Sequence, residues 1–476
     1  MNVRTRMAPS PTGDIHVGSM ATLLKNYAFA KKHGGQFVLR IEDTDQTREV
    51  PGAVERILSV IKAYGLSWDE GPDVGGPYEP YTQSQRLATY REKALELVAQ
   101  GKAYHCFCSR ERLEQLRADQ MANKQQPKYD GLCRHLTPEQ VQERLSAGEP
   151  NVIRLTVPHE ETIAFTDLVR GPITVSGNDL DDQVLLKTDG FPTYHLAVVV
   201  DDHAMQITHI MRGEEWISST PKHILLYQAF GWELPVFAHI PVFLNPDGKG
   251  KMSKRKGDVS AQSFLDQGYL PEALLNFFMI LGWAPSNQRE ILTLDEYVSE
   301  FDPAAISSKS VVFDLKKLAW LNGVYIRQLS ESDLLERLQP FIAAGRSPEK
   351  IVEILPLVKE RLVTLNDIND LTAYFFDSIS LDAETLQQRA TGKEQVMEQL
   401  NQTIAVLTDT AWHVETLETA LRQLQHDHDW QPKQYFMMLR MALTGQTATP
   451  PLFDTMQVLG KTTVLSRLHE AIHKLN

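Results

Sequence analysis

No apolar run in this sequence is long enough to cross a bilayer. The longest nearly apolar stretch, Ala273 to Pro285, is interrupted by Asn276 and Gly282 and falls short of the roughly 20 residues a spanning helix needs. No membrane partner is expected. Only three cysteines occur in 476 residues, too few for a disulfide scaffold and in keeping with a reducing compartment. The start, MNVRTRMAPSPTG, carries no apolar targeting core, so a cytoplasmic protein is expected. Internal repeats and low-complexity tracts are missing too, and 42% hydrophobic with 23% charged residues is ordinary for a globular chain of about two to four domains. Positive charge is the scarcer sign, with 48 Lys and Arg against 61 Asp and Glu and a net charge of −13. Such a surface argues against generic nucleic-acid binding, yet one basic groove can hold a polyanion while the remainder repels nonspecific RNA.

Against that acidic background, Lys249 to Asp258 reads KGKMSKRKGD, with five cations and two glycines. It has no apolar face to fold around. Near the N-terminus, Val3 to Met7 reads as a strand that ends at Pro9, and Ser10-Pro11-Thr12-Gly13 as a loop. From Val17 a 3.6-residue period through Met20, Leu23, Leu24, Tyr27 and Ala28 predicts a helix stopped at His33-Gly34-Gly35, and Gln36 to Ile41 predicts a second strand. Strand, helix and strand at this spacing form a right-handed parallel unit, the building block of a nucleotide-binding sheet. The loop Ala8 to Asp14, the helix start and the acidic run Glu42-Asp43-Thr44-Asp45 then share one sheet edge, where helix amides favour phosphate. His16-x-Gly18 alone is weak, since a chain with 15 His and 27 Gly contains that pattern about once by chance. Its position at a phosphate-ready helix start gives it weight.

Taken together, Pro9-Ser10-Pro11-Thr12-Gly13 with His16-Val17-Gly18-Ser19, Arg40-Ile41-Glu42-Asp43-Thr44-Asp45, Tyr194-His195-Leu196-Ala197, Arg212-Gly213-Glu214-Glu215-Trp216 and Lys251-Met252-Ser253-Lys254-Arg255 resemble the bacterial glutamyl-tRNA synthetases of class I. The resemblance covers the chain to about residue 325 and thins beyond it. It implies an α/β fold: a split Rossmann-type, doubly wound catalytic domain (1–105 and 187–245), an α+β insertion for the tRNA acceptor end (106–186), a stem-contact region with the lysine loop (246–325), and an all-α anticodon-binding region (326–476). The implied activity is ATP-dependent ligation of L-glutamate to tRNA(Glu) through glutamyl adenylate, with Mg2+ accompanying ATP, activation that waits for tRNA, and a monomer. Alternatives are a glutaminyl-like enzyme, a paralogue that glutamylates a tRNA base, a different nucleotidyltransferase, or a catalytically retired RNA-binding relative.

In this resemblance His16, Lys251 and Lys254 are catalytic, and Ala8, Ser10, Gly18, Ser19, Glu215, Trp216 and Lys254 hold ATP. Arg6, Ser10, Glu42, Tyr194 and Arg212 hold glutamate, with Asp43 or Asp45 as alternatives to Glu42. The charge of the lysine loop then has a reason: the attack of a carboxylate on the α-phosphorus of ATP spreads negative charge that cations neutralise. The attacking carboxylate is already ionised, so no general base is needed. Arg212 separates glutamate from glutamine, because a guanidinium binds a carboxylate through two charge-assisted bonds that an amide cannot match.

All three cysteines fall early in the insertion: Cys106 and Cys108, then Cys133, with Tyr129 and His135 nearby. Three thiolates plus an imidazole or a phenol suit a structural zinc site, with His135 or Tyr129 as the fourth ligand. Asn151 to Val157 reads as a strand. From about Glu331 helical periods dominate, as in Leu334-Leu335-Leu338 and Ile351-Ile354-Leu355-Val358, broken at Gly345 to Pro348. A helical module for oligomerisation is the alternative to anticodon binding there.

Overall fold

The computed structural model describes residues 2–252, 259–381, 384, 386 and 392–475. The chain divides into two compact units, Met1–Leu265 with Pro271–Leu315, and Asp266–Leu270 with Lys316–Asn476.

In the first unit, the strand Arg4–Met7 pairs in parallel with Gln36–Leu39, and the helix Val17–Lys32 connects them. The expected second strand ran to Ile41. Its ladder does continue, since Arg40 N donates to Met7 O at 3.0 Å and Ile41 bridges Thr82. Alternation along Arg4–Met7 sorts its side chains between two faces. Thr5 Oγ1 turns to Asn26 O of the first helix at 2.8 Å, whereas Arg4 and Arg6 turn the other way, to Glu70 and Asp202.

A second sheet runs in the order Gly171–Ser176, Thr162–Asp167, Val236–Ile240, His209–Gly213, with the last two strands parallel. Thr208 N donates to Arg4 O at 3.0 Å and ties this sheet to the first strand pair. The hairpin 162–176, which lies within the segment 106–186, therefore shares a sheet with strands of the segment 187–245. Three further strands, Ala103–Cys106, Val152–Leu155 and Val184–Leu186, make a small sheet in which Cys106 pairs with Val152. One apolar core spans these elements, with Leu97, Ile153, Leu196, Val199, Ile210 and Phe237 buried in it.

The second unit is helical, and no strand occurs among its described residues. The expected periods fall on the helices Glu331–Leu338 and Pro348–Val358, which bury Leu334 and Leu338, and Ile351, Ile354, Leu355 and Val358. The break between them is a capped start: the Ser347 side chain accepts from Lys350 N, with Pro348 in the first turn. Helices Lys393–Asp409, Val414–Asp427, Pro432–Thr444 and Lys461–Leu475 close around Leu400, Leu421, Leu439 and Leu468. No helix of the described residues is long and apolar enough to cross a membrane.

Candidate functional site

A cavity of about 950 Å³ opens at the carboxyl ends of the strands Arg4–Met7, His209–Gly213 and Val236–Ile240. Parallel strands present their ligand crevice at that edge. The cavity wall includes Ala8, Ser10, His16, Gly18 and Ser19 from the first loop and helix start, Arg6 and Glu42 from the first strand pair, Tyr194 and Arg212, and Glu215, Trp216 and Lys251. Every residue expected at the site is thus brought to one cavity except Lys254, which lies outside the described residues. Asp45 also borders the cavity, whereas Asp43 turns away, accepting from Ser84 N at 2.8 Å.

His16 is the N-cap of the first helix, and its Nδ1 accepts from Gly18 N at 2.9 Å. That bond satisfies one orphan amide and leaves the proton of the neutral ring on Nε2. A Cβ at Gly18 would approach His16 Nδ1 to 3.1 Å, so a larger residue there would require the imidazole to give by a few tenths of an ångström. The described flanks of the lysine-rich segment are fixed against the same place. Met252 N donates to Phe243 O at 2.8 Å, Val17 N to Val259 O at 3.0 Å and Ala261 N to Ile15 O at 2.8 Å. Lys251 Nζ stands 3.5 Å from Glu215 Oε1.

The deep wall carries a buried ionic network. Asp202 receives Arg40 Nη1 at 2.8 Å and Arg6 Nε at 3.2 Å, while Arg40 Nη2 reaches Glu42 Oε1 at 3.0 Å. Burial alone would raise the Asp202 carboxyl, but Arg6 and Arg40 outweigh it and hold it below the usual range. For Glu42 burial wins and pushes the carboxyl up, with Arg40 and Arg6 opposing. The neighbouring Asp201 binds Arg86 Nε at 2.7 Å and the Tyr90 hydroxyl at 2.7 Å. Two carboxylates in the last turns of the helix Tyr194–Ala204 oppose its dipole, and these cations offset the penalty.

Arg212 differs from its neighbours. It is 6% exposed, and its hydrogen-bond partners are neutral: His239 Nε2 at 3.1 Å from Nε, the Tyr194 hydroxyl at 3.2 Å and His223 Nδ1 at 3.3 Å from Nη1, and Thr220 Oγ1 at 2.9 Å from Nη2. Among the described residues no carboxylate makes an ion pair with it, whereas Arg6 pairs with Asp202, and Arg40 with Glu42, Asp201 and Asp202. Burial therefore draws its guanidinium below its ordinary value, and pushes the Tyr194 phenol up to about 12. Both nearby imidazoles, His223 and His239, are held below the usual histidine range, burial being the larger cause and the Arg212 charge contributing. The cage is neutral at pH 7.

Asp202, His223, His239 and Thr220 are not named by any motif. The one sequence signal is a polar residue in an otherwise apolar run, as with Asp201-Asp202 after Val198-Val199-Val200 and His239 within Val236–Ile240.

His195, joined to His223 through Nδ1 and Nε2 at 3.1 Å, is lowered to about 4 by burial, then by the Lys222 and Arg212 charges. Between pH 6.5 and 4 the unfolded chain takes up a proton that the folded histidine refuses, so stability is lost as pH falls through that window. Thermal unfolding of His195→Gln is expected to lose less stability than the parent on going from pH 6.5 to 4.5, by about 1–3 kcal/mol. Parallel pH curves for the two proteins would contradict this.

Elsewhere in the first unit, the Sγ atoms of Cys106, Cys108 and Cys133 lie within 4.8 Å of one another. None is in a disulfide, and Cys108 and Cys133 Sγ are 3.5 Å apart. The Tyr129 hydroxyl joins them at 3.4 Å from Cys108 Sγ and accepts from Cys133 N at 2.9 Å. His135 is exposed and does not belong to the group. Arg112 Nη1 lies 3.5 Å from Cys108 Sγ and the Arg154 guanidinium sits over the Tyr129 ring at 4.2 Å, cations well placed to balance thiolates.

Comparison with known proteins is consistent with this geometry. Residues 2–320 match the model of the class I tRNA synthetases (E and Q), catalytic domain, and residues 333–472 match an anticodon binding domain. A glutamate–tRNA ligase of Clostridioides difficile (strain 630) is 44% identical over 98% of this chain and 98% of its own. That of Acinetobacter baylyi is 43% identical over 99% and 94%. The crystal structure of a glutamate tRNA ligase from Elizabethkingia meningosepticum, in complex with its amino acid, superposes with a TM-score of 0.91 at 36% identity and covers both chains fully. With family matches on both its α/β and helical parts and full-length relatives at this identity, the chain belongs to the class I tRNA synthetases of the glutamate and glutamine family.

Proposed function

We propose that the chain ligates L-glutamate to tRNA(Glu), using ATP to form glutamyl adenylate and then passing the glutamyl group to the terminal ribose. The observation that carries the choice of amino acid is the neutral cage of Arg212: a buried guanidinium without a carboxylate partner among the described residues is a site for an acidic side chain. The amide of glutamine would enter the same space and leave that charge uncompensated. Tyr194, accepting from Arg212, retains its own hydroxyl hydrogen to donate to the substrate. Arg6 receives the second carboxylate, and Glu42 with Asp202 behind it faces the ammonium group.

In the first step an α-carboxylate oxygen of glutamate bonds to the α-phosphorus of ATP while the bond from that phosphorus to the β-bridging oxygen breaks, releasing diphosphate. His16 Nε2–H and the amides of the helix start at Gly18 and Ser19 meet the charge on the α-phosphate. Ala8 and Ser10 border the nucleotide from the loop, and Glu215 and Trp216 from the opposite wall. Lys251 and Lys254 neutralise the departing diphosphate, a role for Lys254 that rests on its place in the motif and on the fixed flanks of its loop. Mg2+ arriving with ATP supplies further charge on the phosphates. In the second step a ribose hydroxyl of the tRNA end displaces AMP from the adenylate. The insertion 106–186 takes the acceptor end, residues 246–325 the stem and the helical region 326–476 the anticodon, in a cytoplasmic monomer.

The three thiols and the Tyr129 phenol fit a structural zinc, which when bound cross-links the segment 106–133 as a closed four-ligand site. Metal analysis of the purified chain is expected to give one zinc, lost in Cys108→Ala and retained in His135→Ala. A metal-free protein whose unfolding is indifferent to chelator would contradict the assignment.

The activity itself is tested by incubating the purified chain with ATP, tRNA(Glu) transcript and either amino acid. Glutamyl-tRNA with AMP and diphosphate is expected, and no charging with glutamine. Equal use of both amino acids, or none of either, would refute the proposal.

A further inference from the structure

The parallel register of the strands His209–Gly213 and Val236–Ile240 sets His239 directly beside Arg212. Behind His239 stands Asp167, the last residue of its own strand, with Oδ2 2.7 Å from His239 Nδ1. Both side chains are fully buried. Asp167 is an acceptor only and is held in place by the backbone amides of Val169, Arg170 and His239 at 3.0, 2.9 and 3.0 Å. A guanidinium is a donor only. Between an acceptor-only carboxylate and a donor-only guanidinium the imidazole has one satisfactory tautomer, with the proton on Nδ1 facing Asp167 and the Nε2 lone pair facing Arg212 Nε at 3.1 Å.

This chain of bonds separates two things that a direct ion pair would join. A carboxylate placed straight on Arg212 would fix its plane and also cancel its charge. With the imidazole interposed, the plane is fixed through Nε by a neutral acceptor while the carboxylate stays one residue back. One terminal nitrogen is then turned toward Tyr194 at the cavity wall, and the other is held by the buried Thr220. We infer that His239 and Asp167 form a positioning pair that orients Arg212 toward the substrate side chain while leaving its positive charge for that side chain to meet. The inference rests on the reading of Arg212 as the ligand of the glutamate side chain, and neither member of the pair touches substrate.

Three variants test it in the tRNA-dependent glutamylation assay, with Arg212→Gln run alongside. In His239→Asn the shorter amide keeps a group near Nδ1 for Asp167 but leaves Arg212 Nε without its acceptor. In His239→Gln the longer amide can present an oxygen near Nε2, and the tether to Asp167 is what goes. In Asp167→Asn the amide can turn its NH2 to Nδ1 and reverse the tautomer, which sets Nε2–H against the Arg212 Nε–H. His239→Asn and Asp167→Asn are expected to lower kcat/KM for glutamate on the order of 10- to 100-fold, with His239→Gln less affected. The KM for ATP is expected to stay within about twofold, and Asp167→Asn to add no more than about twofold to His239→Gln, since the reversible imidazole is then gone.

Unchanged glutamate kinetics in His239→Asn and Asp167→Asn, with Arg212→Gln severely impaired, would overturn the pair and leave the reading of Arg212 standing. A loss shared equally between glutamate and ATP would overturn it as well, marking these residues as merely structural. Normal glutamate kinetics in Arg212→Gln would remove the reading beneath. Should Asp167→Asn fail to fold, the two His239 variants decide the matter.

Discussion

Arg212→Gln is expected to lose kcat/KM for glutamate on the order of 10²- to 10⁴-fold, because truncating one partner of a buried charge pair strands the other at about 3–5 kcal/mol. The defect should lie in the use of glutamate and spare the KM for ATP. Its second signature is in stability. In the ligand-free protein the guanidinium is buried among neutral partners, and the fold holds its charge at a disadvantage. Removing that charge should therefore leave the melting temperature unchanged or raise it, the pattern of a residue kept for function at the expense of the fold. Steady-state kinetics and thermal unfolding of the same preparation check both halves. A variant that loses stability and activity together would point to a structural role.

His16→Asn is expected to lower kcat on the order of 10²- to 10³-fold, the usual effect of deleting one donor aimed at developing charge. Asparagine is itself a good N-cap, so its side-chain oxygen can replace Nδ1 in receiving Gly18 N and the helix start should survive. What it cannot supply is the donor on the far edge of the ring. His16→Ala loses both functions and should add a stability loss of about 1 kcal/mol to the same catalytic defect. If His16→Asn turned over at the parental rate, the imidazole would be a cap and nothing more.

The sequence conveyed the outer wall of the site and little of what stands behind it. The loop Ala8 to Asp14, His16 at a helix start and the Arg212 to Trp216 run are local in sequence, so a motif can carry them, and the structure gathers them around one cavity. His239, Asp202 and Asp167 act across register. His239 meets Arg212 from 27 residues away and Asp167 from 72, and nothing in a short window shows which strands will lie side by side. An isolated histidine in an apolar run reads the same whether it is a relay or core filler.

The fourth candidate metal ligand was ambiguous for a related reason. Tyr129 stands four residues before Cys133 and His135 two after it, and the backbone at Gly131, φ 72°, leads into the turn Leu132–His135. That turn buries Cys133 and leaves His135 outside. The helical third was legible in its periods, since Leu334, Leu338, Ile351 and Leu355 fall on buried faces. A period of 3.6 reports burial, and whether those helices meet RNA had to come from resemblance.

The most direct test is an equilibrium titration of the ligand-free chain with the sulfamoyl-adenosine analogues of glutamyl and glutaminyl adenylate, two molecules that differ only in carboxylate against amide at the side-chain end. Binding of the glutamyl analogue should be tighter on the order of 10³-fold, and the gap should close in Arg212→Gln. Dissociation constants for the parent protein that agree within about tenfold would show that the caged guanidinium does not select the amino acid.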